Sequence, residues 1–251
     1  MAVKACWLLV QGRIVRVLMS YVEDVARNGF AVVPEFLDFE AVSRALEALA
    51  GVRIDHGDGQ RAGKAFGIRN LLNVVPFTRE LANSAECRAL VEPVLGSGAR
   101  VVRGIYFDKH KDANWKVAWH QDMTIAVRER VDVEGYGPWS IKAGIHHVQP
   151  PVAVLENMLT LRIHLDQADE SNGALRVLPG SHASGRLDSS QIEACKQQQP
   201  VTCVVPAGGA LLMRPLLLHS SKPALNPSHR RVLHFEYSSV ALPAGLKWFE
   251  E

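Results

Sequence analysis

This chain has little that would commit it to nucleic acid, a membrane or an oxidising compartment. Its 28 basic and 26 acidic residues leave a net charge of only +2. There is no basic block and no basic–aromatic alternation, so nothing electrostatic points to a nucleic-acid partner. Long hydrophobic runs are missing too. The apolar stretch around Trp7–Val10 is soon broken by Arg13 and Arg16, which makes it too short and too charged for a transmembrane helix. It also lacks the small-residue cleavage site of a leader. We expect residues 1–18 to be an N-terminal extension and residues 19–251 to form one domain. Cysteine is sparse: Cys6, Cys87, Cys195 and Cys203 have no CxxC spacing, which fits reduced thiols in a cytoplasmic protein and excludes a disulfide framework or a zinc–thiolate site. Internal repeats, heptad seams and low-complexity tracts are likewise absent, so the oligomeric state is not legible.

What is present divides into two halves. Residues 21–28 read as a short helix stopped at Asn28-Gly29, followed by a strand at Phe30–Pro34. A helix is expected from Asp38 or Phe39 through Leu49, with Val42, Leu46 and Leu49 at helical spacing. Residues 52–66 read as a loop, and a single helix is expected over Arg79–Leu95 with Thr78 as its N-cap. From Val101 the pattern changes to short β segments at 101–107, 117–123, 159–166, 174–178, 201–205, 210–213, 216–219 and 231–238, separated by turns such as Asn172-Gly173 and Pro179-Gly180. Helices followed by about eight strands imply a mainly β fold with flanking helices, a jelly-roll sheet pair under an N-terminal helical layer. Residues 123–151 show no regular pattern and read as a lid over a functional site.

Chemistry enters through histidine. With ten histidines and 26 acidic residues, about one His-x-Asp/Glu pair arises by chance. More than that occur, among them His56/Asp58, His120/Asp122, His164/Asp166 and His234/Glu236. The first lies in a glycine-punctuated loop, the third has later histidines only 55 or 70 residues on, and the last has none after it. Of these four, His120/Asp122 is the one followed, 99 residues later, by a well-separated His219 and then by Arg230. Residues i and i+2 of a strand share a face, so His120 and Asp122 can hold one metal ion with His219 as third ligand. Two histidines and a carboxylate occupy one face of an octahedral ion and leave three positions open, the set of non-haem Fe(II) oxygenases. An arginine beyond the third ligand suits the far carboxylate of a dicarboxylate co-substrate.

The chain resembles the phytanoyl-CoA dioxygenase family of Fe(II)/2-oxoglutarate-dependent oxygenases over roughly residues 20–240. The residues that carry the resemblance are Asn28–Pro34, Trp119-His120-Gln121-Asp122, Asn172–His182, His219 and Arg230. It implies a double-stranded β-helix related to cupins. It also implies iron held by His120, Asp122 and His219, and the 5-carboxylate of 2-oxoglutarate held by Arg230 with Ser221. Arg231 competes for the anion role, but strand alternation puts it on the opposite face from Arg230. The implied reaction consumes O2 and 2-oxoglutarate, releases succinate and CO2, and hydroxylates a C–H bond of a small-molecule substrate. The family's halogenating branch replaces the carboxylate ligand with a small residue, so Asp122 favours hydroxylation. The alternatives are a cupin-type iron enzyme that does not use 2-oxoglutarate and a non-catalytic small-molecule-binding β-sandwich.

Other residues carry two readings. Trp139 either walls the pocket or belongs to the core. Trp115 and Lys116 either meet a substrate carboxylate or mark a strand edge. Lys64 and Arg69 are surface residues or co-substrate contacts. His146 and His147 read as loop or surface, His182 as structural, Arg162 and His164 as a buried polar pair, and Asp108–Asp112 as a solvated loop.

Overall fold

The computed structural model describes residues 21–50, 52 and 67–251; the expected extension at 1–18, the His56/Asp58 loop and Lys64 lie outside them. A helix at residues 21–28 (α1) ends where Gly29 takes φ 83°, a left-handed value suited to glycine. It leads into β1 (Phe30–Val33) and α2 (Phe39–Ala50). Three further helices precede the β-rich half: α3 (Leu71–Val74), α4 (Pro76–Ala82) and α5 (Ala85–Leu95).

The expected single helix at 79–95 is therefore two. Ser84 caps the second, its side chain accepting from the Cys87 N–H at 3.3 Å. Thr78 is not a cap: it is buried inside α4, donating to the carbonyls of Val75 and Leu71. Gly96 closes α5 as expected.

Among the described residues the strands form three sheets. In the largest, the order is β1, β11 (Ala210–Met213), β8 (Met158–His164), β13 (Arg230–Ser238), β3 (Arg100–Lys109) and β2 (Gly67–Ile68). The second runs β10 (Val201–Thr202), β9 (Leu175–Val177), β12 (His219–Ser221) and β4 (Val117–His120). The strand expected at 216–219 thus begins only at His219, because Leu217 is held in a turn by its N–H on the Arg214 carbonyl. The 123–151 segment is not irregular: it contains a third sheet, with β7 (Ile145–Val148) between β5 (Ile125–Val127) and β6 (Trp139–Lys142).

Alternation sorts the large sheet into two faces. Leu159, Leu161, Ile163, Leu233, Phe235 and Tyr237 pack outward against the helices. The inner face meets the second sheet through Leu211 and Met213 on one side and Leu175 and Val177 on the other. The remaining inward residues of β8, β13 and β3 are largely polar, which is where the site forms.

The C-terminal segment ties the layers together. The Glu250 carboxylate accepts from the Leu72 N–H at 2.9 Å and the Gly104 N–H at 2.6 Å. It sits where Gly104 lets α3 approach the sheet; a Cβ there would lie 2.8 Å from the Leu72 side chain. No helix among the described residues is long and apolar enough to cross a membrane. Because each buried N–H left without an acceptor costs about 1–3 kcal/mol, Glu250→Ala should lower the unfolding free energy by about 2–5 kcal/mol, read from urea melts of variant and parent.

Candidate metal centre and co-substrate site

Antiparallel pairing of β12 with β4 sets His219 directly opposite His120. Their rings lie 4.2 Å apart, centroid to centroid. The pairing shifts register just after His219, the kind of irregularity that aims side chains at active sites. His120 Nδ1 faces the Ala118 carbonyl at 2.9 Å and His219 Nδ1 faces that of Leu217 at 2.8 Å. A carbonyl can only accept, so each Nδ1 carries the proton and each Nε2 presents a lone pair. The Asp122 carboxylate lies between these atoms, Oδ1 3.6 Å from His120 Nε2 and Oδ2 3.8 Å from His219 Nε2. All three ligand atoms fall within 4.8 Å of one another. This donor set fits an iron ion, with the Ala118 and Leu217 carbonyls behind the rings fixing both imidazoles.

The electrostatics agree. Burial pushes His219 down to about 4, against the pull of Asp122, so its ring is neutral at physiological pH. Burial alone would raise the Asp122 carboxyl, but the His219, His234 and His120 rings and Arg162 outweigh it and hold the group below the usual range.

The sequence gives Gln121 no role beyond its place in the Trp119–Asp122 motif. Gln121 points away from the two ligands that flank it and anchors their strand. Its Nε2 donates to the carbonyls of Leu216 at 2.7 Å and Gly185 at 2.8 Å, and its Oε1 accepts from the Leu187 N–H at 2.8 Å. The Asp122 N–H bonds the Pro215 carbonyl, so the ligand segment is tied to the turn just before β12.

Arg230 and Arg231 part as alternation requires. Arg231 turns outward into a two-point ion pair with Asp166, at 2.7 and 2.8 Å. Arg230 turns inward and is buried, with Nε and Nη1 lacking any partner among the described residues. Burial and the nearby Arg162 depress its guanidinium to about 10. Opposite Arg230 in the sheet is Lys109, so the Asp108–Asp112 stretch is not a solvated loop: Asp108 and Lys109 are buried at the end of β3. Lys109 Nζ donates to Ser221 Oγ at 3.0 Å and to the Lys222 carbonyl at 2.7 Å. Gly173 makes room for it: a Cβ at that residue would lie 3.1 Å from Nζ and 2.5 Å from the Lys222 carbonyl. Ser221 Oγ already accepts from Lys109, so its own proton is free for an anion. Two buried cations side by side, one of them unpaired, are costly until an anion joins them.

The other expected residues scatter. Trp139 packs with the apolar cluster of Val127, Val148 and Trp248 and lies under the Arg130 guanidinium at 5.6 Å. Lys116 is exposed just ahead of β4. His147 is fully buried on β7 rather than at the surface. Arg162 and His164 are both buried; Arg162 Nη1 pairs with His234 Nδ1 at 2.7 Å, whereas both His164 nitrogens are unpartnered. His182 bonds the Ala26 carbonyl, a structural role.

Gln121→Leu removes three anchoring bonds while keeping the volume. It should weaken Fe(II) binding about tenfold, as losses behind a ligand do, in an anaerobic competition titration against a metal chelator.

Residues 25–232 match the family described as phytanoyl-CoA dioxygenase (PhyH). No curated protein matches the sequence. Among solved structures the chain is similar to AviO1 from Streptomyces viridochromogenes, at 23% identity and TM-score 0.64, covering 90% of this chain and 96% of that chain. It is also similar to the epimerase SnoN in complex with Fe3+, alpha ketoglutarate and nogalamycin RO, at 21% identity and TM-score 0.67, covering 92% and 91%. A third is EctD from S. alaskensis with 2-oxoglutarate and 5-hydroxyectoine, at 17% identity and TM-score 0.65, covering 86% and 74%. These likenesses establish the double-stranded β-helix. The family match spans most of the chain, and the protein belongs to the phytanoyl-CoA dioxygenase family, within the iron- and 2-oxoglutarate-dependent oxygenases.

Proposed function

We propose that this enzyme hydroxylates a C–H bond of a small-molecule substrate. One O2 and one 2-oxoglutarate would be consumed, and succinate, CO2 and the alcohol released. The observation that carries this reading is the buried guanidinium of Arg230, unpaired at Nε and Nη1, on the same inner face as the polar lining beside His120, Asp122 and His219. That combination calls for a ligand which is anionic at one end and reaches the metal at the other. Bound iron would supply the redox chemistry that couples decarboxylation of 2-oxoglutarate to oxidation of the substrate.

The chain's own residues do the rest. His120, Asp122 and His219 would hold the iron on one face and leave the other to ligands. Arg230 would grip the 5-carboxylate through parallel N–H bonds, and Ser221 would donate its free proton to the same group. Lys109 fixes Ser221 and adds a second positive charge behind it. The presence of Asp122, rather than a small residue, leaves no ligand position for a halide in its place and favours hydroxylation. SnoN is described as an epimerase and SnoK, another structure with this fold, as a carbocyclase, so the product has to be read directly.

Anaerobic titration of Fe(II) and 2-oxoglutarate should produce the weak visible charge-transfer band of the chelate, and Asp122→Ala should abolish it. An Asp122→Ala protein that binds stoichiometric iron and forms the band would refute the ligand assignment. Arg230→Ala should raise the 2-oxoglutarate concentration needed for half saturation by about tenfold to a hundredfold, from the loss of a charge-assisted hydrogen bond of about 1.5–3 kcal/mol. An unchanged requirement would move the anion site elsewhere. With substrate in hand, turnover under 18O2 should place one heavy oxygen in the product; an unlabelled isomer of unchanged mass would instead mean epimerisation.

A further inference from the structure

The inner face of the large sheet carries a second group of charges at the end of β13 away from Arg230. Inward residues along β13 are Arg230, Val232, His234 and Glu236, paired in register with Lys109, Phe107, Ile105 and Arg103 of β3. Six residues of strand separate Arg230 from Glu236, about 20 Å at 3.4 Å per residue. That is more than a five-carbon diacid spans, so a co-substrate anchored on Arg230 does not also satisfy Arg103.

Arg103 is buried; Nη1 donates to Glu236 Oε1 at 3.1 Å and Nε has no partner. Glu236 is shared, because His234 Nε2 lies 3.4 Å from the same oxygen. The His234 Nδ1 faces the Arg162 guanidinium, which can only donate, so His234 directs its Nε2 proton at Glu236. Two more cations join from other elements. Lys142, at the end of β6, lies 3.4 Å through Nζ from Thr124 Oγ1, two residues beyond the ligand Asp122. Arg69 follows β2 directly. These groups feel one another: burial and then the charges of Arg103 and Arg69 depress the Lys142 ammonium, opposed by Asp122 and Glu236, and burial and Arg103 depress Arg69. His147, on β7 of the covering sheet, donates through Nδ1 to the Ile145 carbonyl at 2.9 Å and leaves Nε2 buried without a partner. The tally is three cations against one carboxylate, with one orphan donor and one orphan acceptor, beside the metal ligands and beneath the covering sheet.

We propose that this cluster is the substrate-recognition subsite, in which Lys142, Arg69 and Arg103 take an anionic group, carboxylate or phosphate, of the molecule to be oxidised. The inference rests on the oxygenase reading above for the word substrate, but not for the anion site itself. Glu236 holds Arg103 in place, and neither Lys142 nor Arg69 has an ion-pair contact of its own among the described residues. Both are exposed over the residue as a whole although partly enclosed, so an incoming anion meets them first at the mouth. The three cations sit on three different strands or strand ends, so the subsite is complete only when the β5–β7–β6 sheet lies over the large one.

The test uses the Fe(II)- and 2-oxoglutarate-loaded protein, kept anaerobic, with three probes of equal chain length: hexanoate, hexyl phosphate and hexanamide. Calorimetric titration should show at least one acid binding at least tenfold more tightly than the neutral amide. The stronger acid tells carboxylate from phosphate. Lys142→Gln combined with Arg69→Gln, both at exposed positions, should cut acid binding at least tenfold, leave amide binding unchanged and leave the thermal midpoint within a degree or two. Acids that bind no better than the amide, or a double variant that binds them like the parent, would overturn the proposal and leave Arg103–Glu236 as a structural ion pair. If the 2-oxoglutarate band fails to form while acid binding still depends on Lys142 and Arg69, the oxygenase reading fails and the anion site stands.

Discussion

The site depends on one constraint, the two-residue pleat of the Arg230–Ser238 strand at the centre of the large sheet. Pleating forces neighbours to opposite faces, so this strand serves two environments at once. Its outward residues Leu233, Phe235 and Tyr237 pack under the helices, while Arg230, His234 and Glu236 face the metal ligands. A slip of one residue would send three apolar groups into the polar interior and three ionisable ones into the core. Pairing on both sides, with β8 and β3, holds the register over nearly the whole strand. The position of the Arg230 guanidinium relative to His219 is therefore a property of the sheet and owes little to local side-chain packing.

That arrangement has an electrostatic cost, and the protein handles it differently on its two sides. Outside, polar groups are matched: Arg231 forms an ion pair with Asp166, and the His229 ring meets the Asp108 carboxylate. Inside, Arg162, Arg230 and Lys109 are buried with few carboxylates near them, and burial depresses all three. Lys109 is driven to about 7. Unpaired buried charge of this kind weakens a fold, and its retention makes sense where ligands complete the pairing. Stability and ligand binding are then linked, since any anion that binds only the folded state adds to its stability.

Much of this was legible in the sequence. The His120-x-Asp122 pair, the distant His219 and the Arg230 behind it stand out because their spacing maps simply onto strand alternation; the structure brings His120, Asp122 and His219 within ligand distance of one another and buries Arg230 on the inner face of the large sheet. The helices-then-strands order also survives in the fold. What was hidden depended on contacts between segments far apart in the chain. Gln121 was invisible as an anchor because its three partners lie 64 to 95 residues away. Lys109 was masked by the run of charges around it, which reads as solvated until β13 pairs with it. The three-stranded sheet within 123–151 was missed because its strands are three or four residues long, too short for a period to register. The break at Ser84 was missed for the opposite reason: apolar residues on both sides continue a helical spacing across a cap.

The Glu250 carboxylate has a kinetic meaning as well. It bonds backbone groups 178 and 146 residues earlier in the chain, and β1 pairs with β11 across a similar distance, Phe30 facing Met213. Closing contacts of such sequence separation require large loops to be formed before they are rewarded, which slows folding in proportion to topology rather than size.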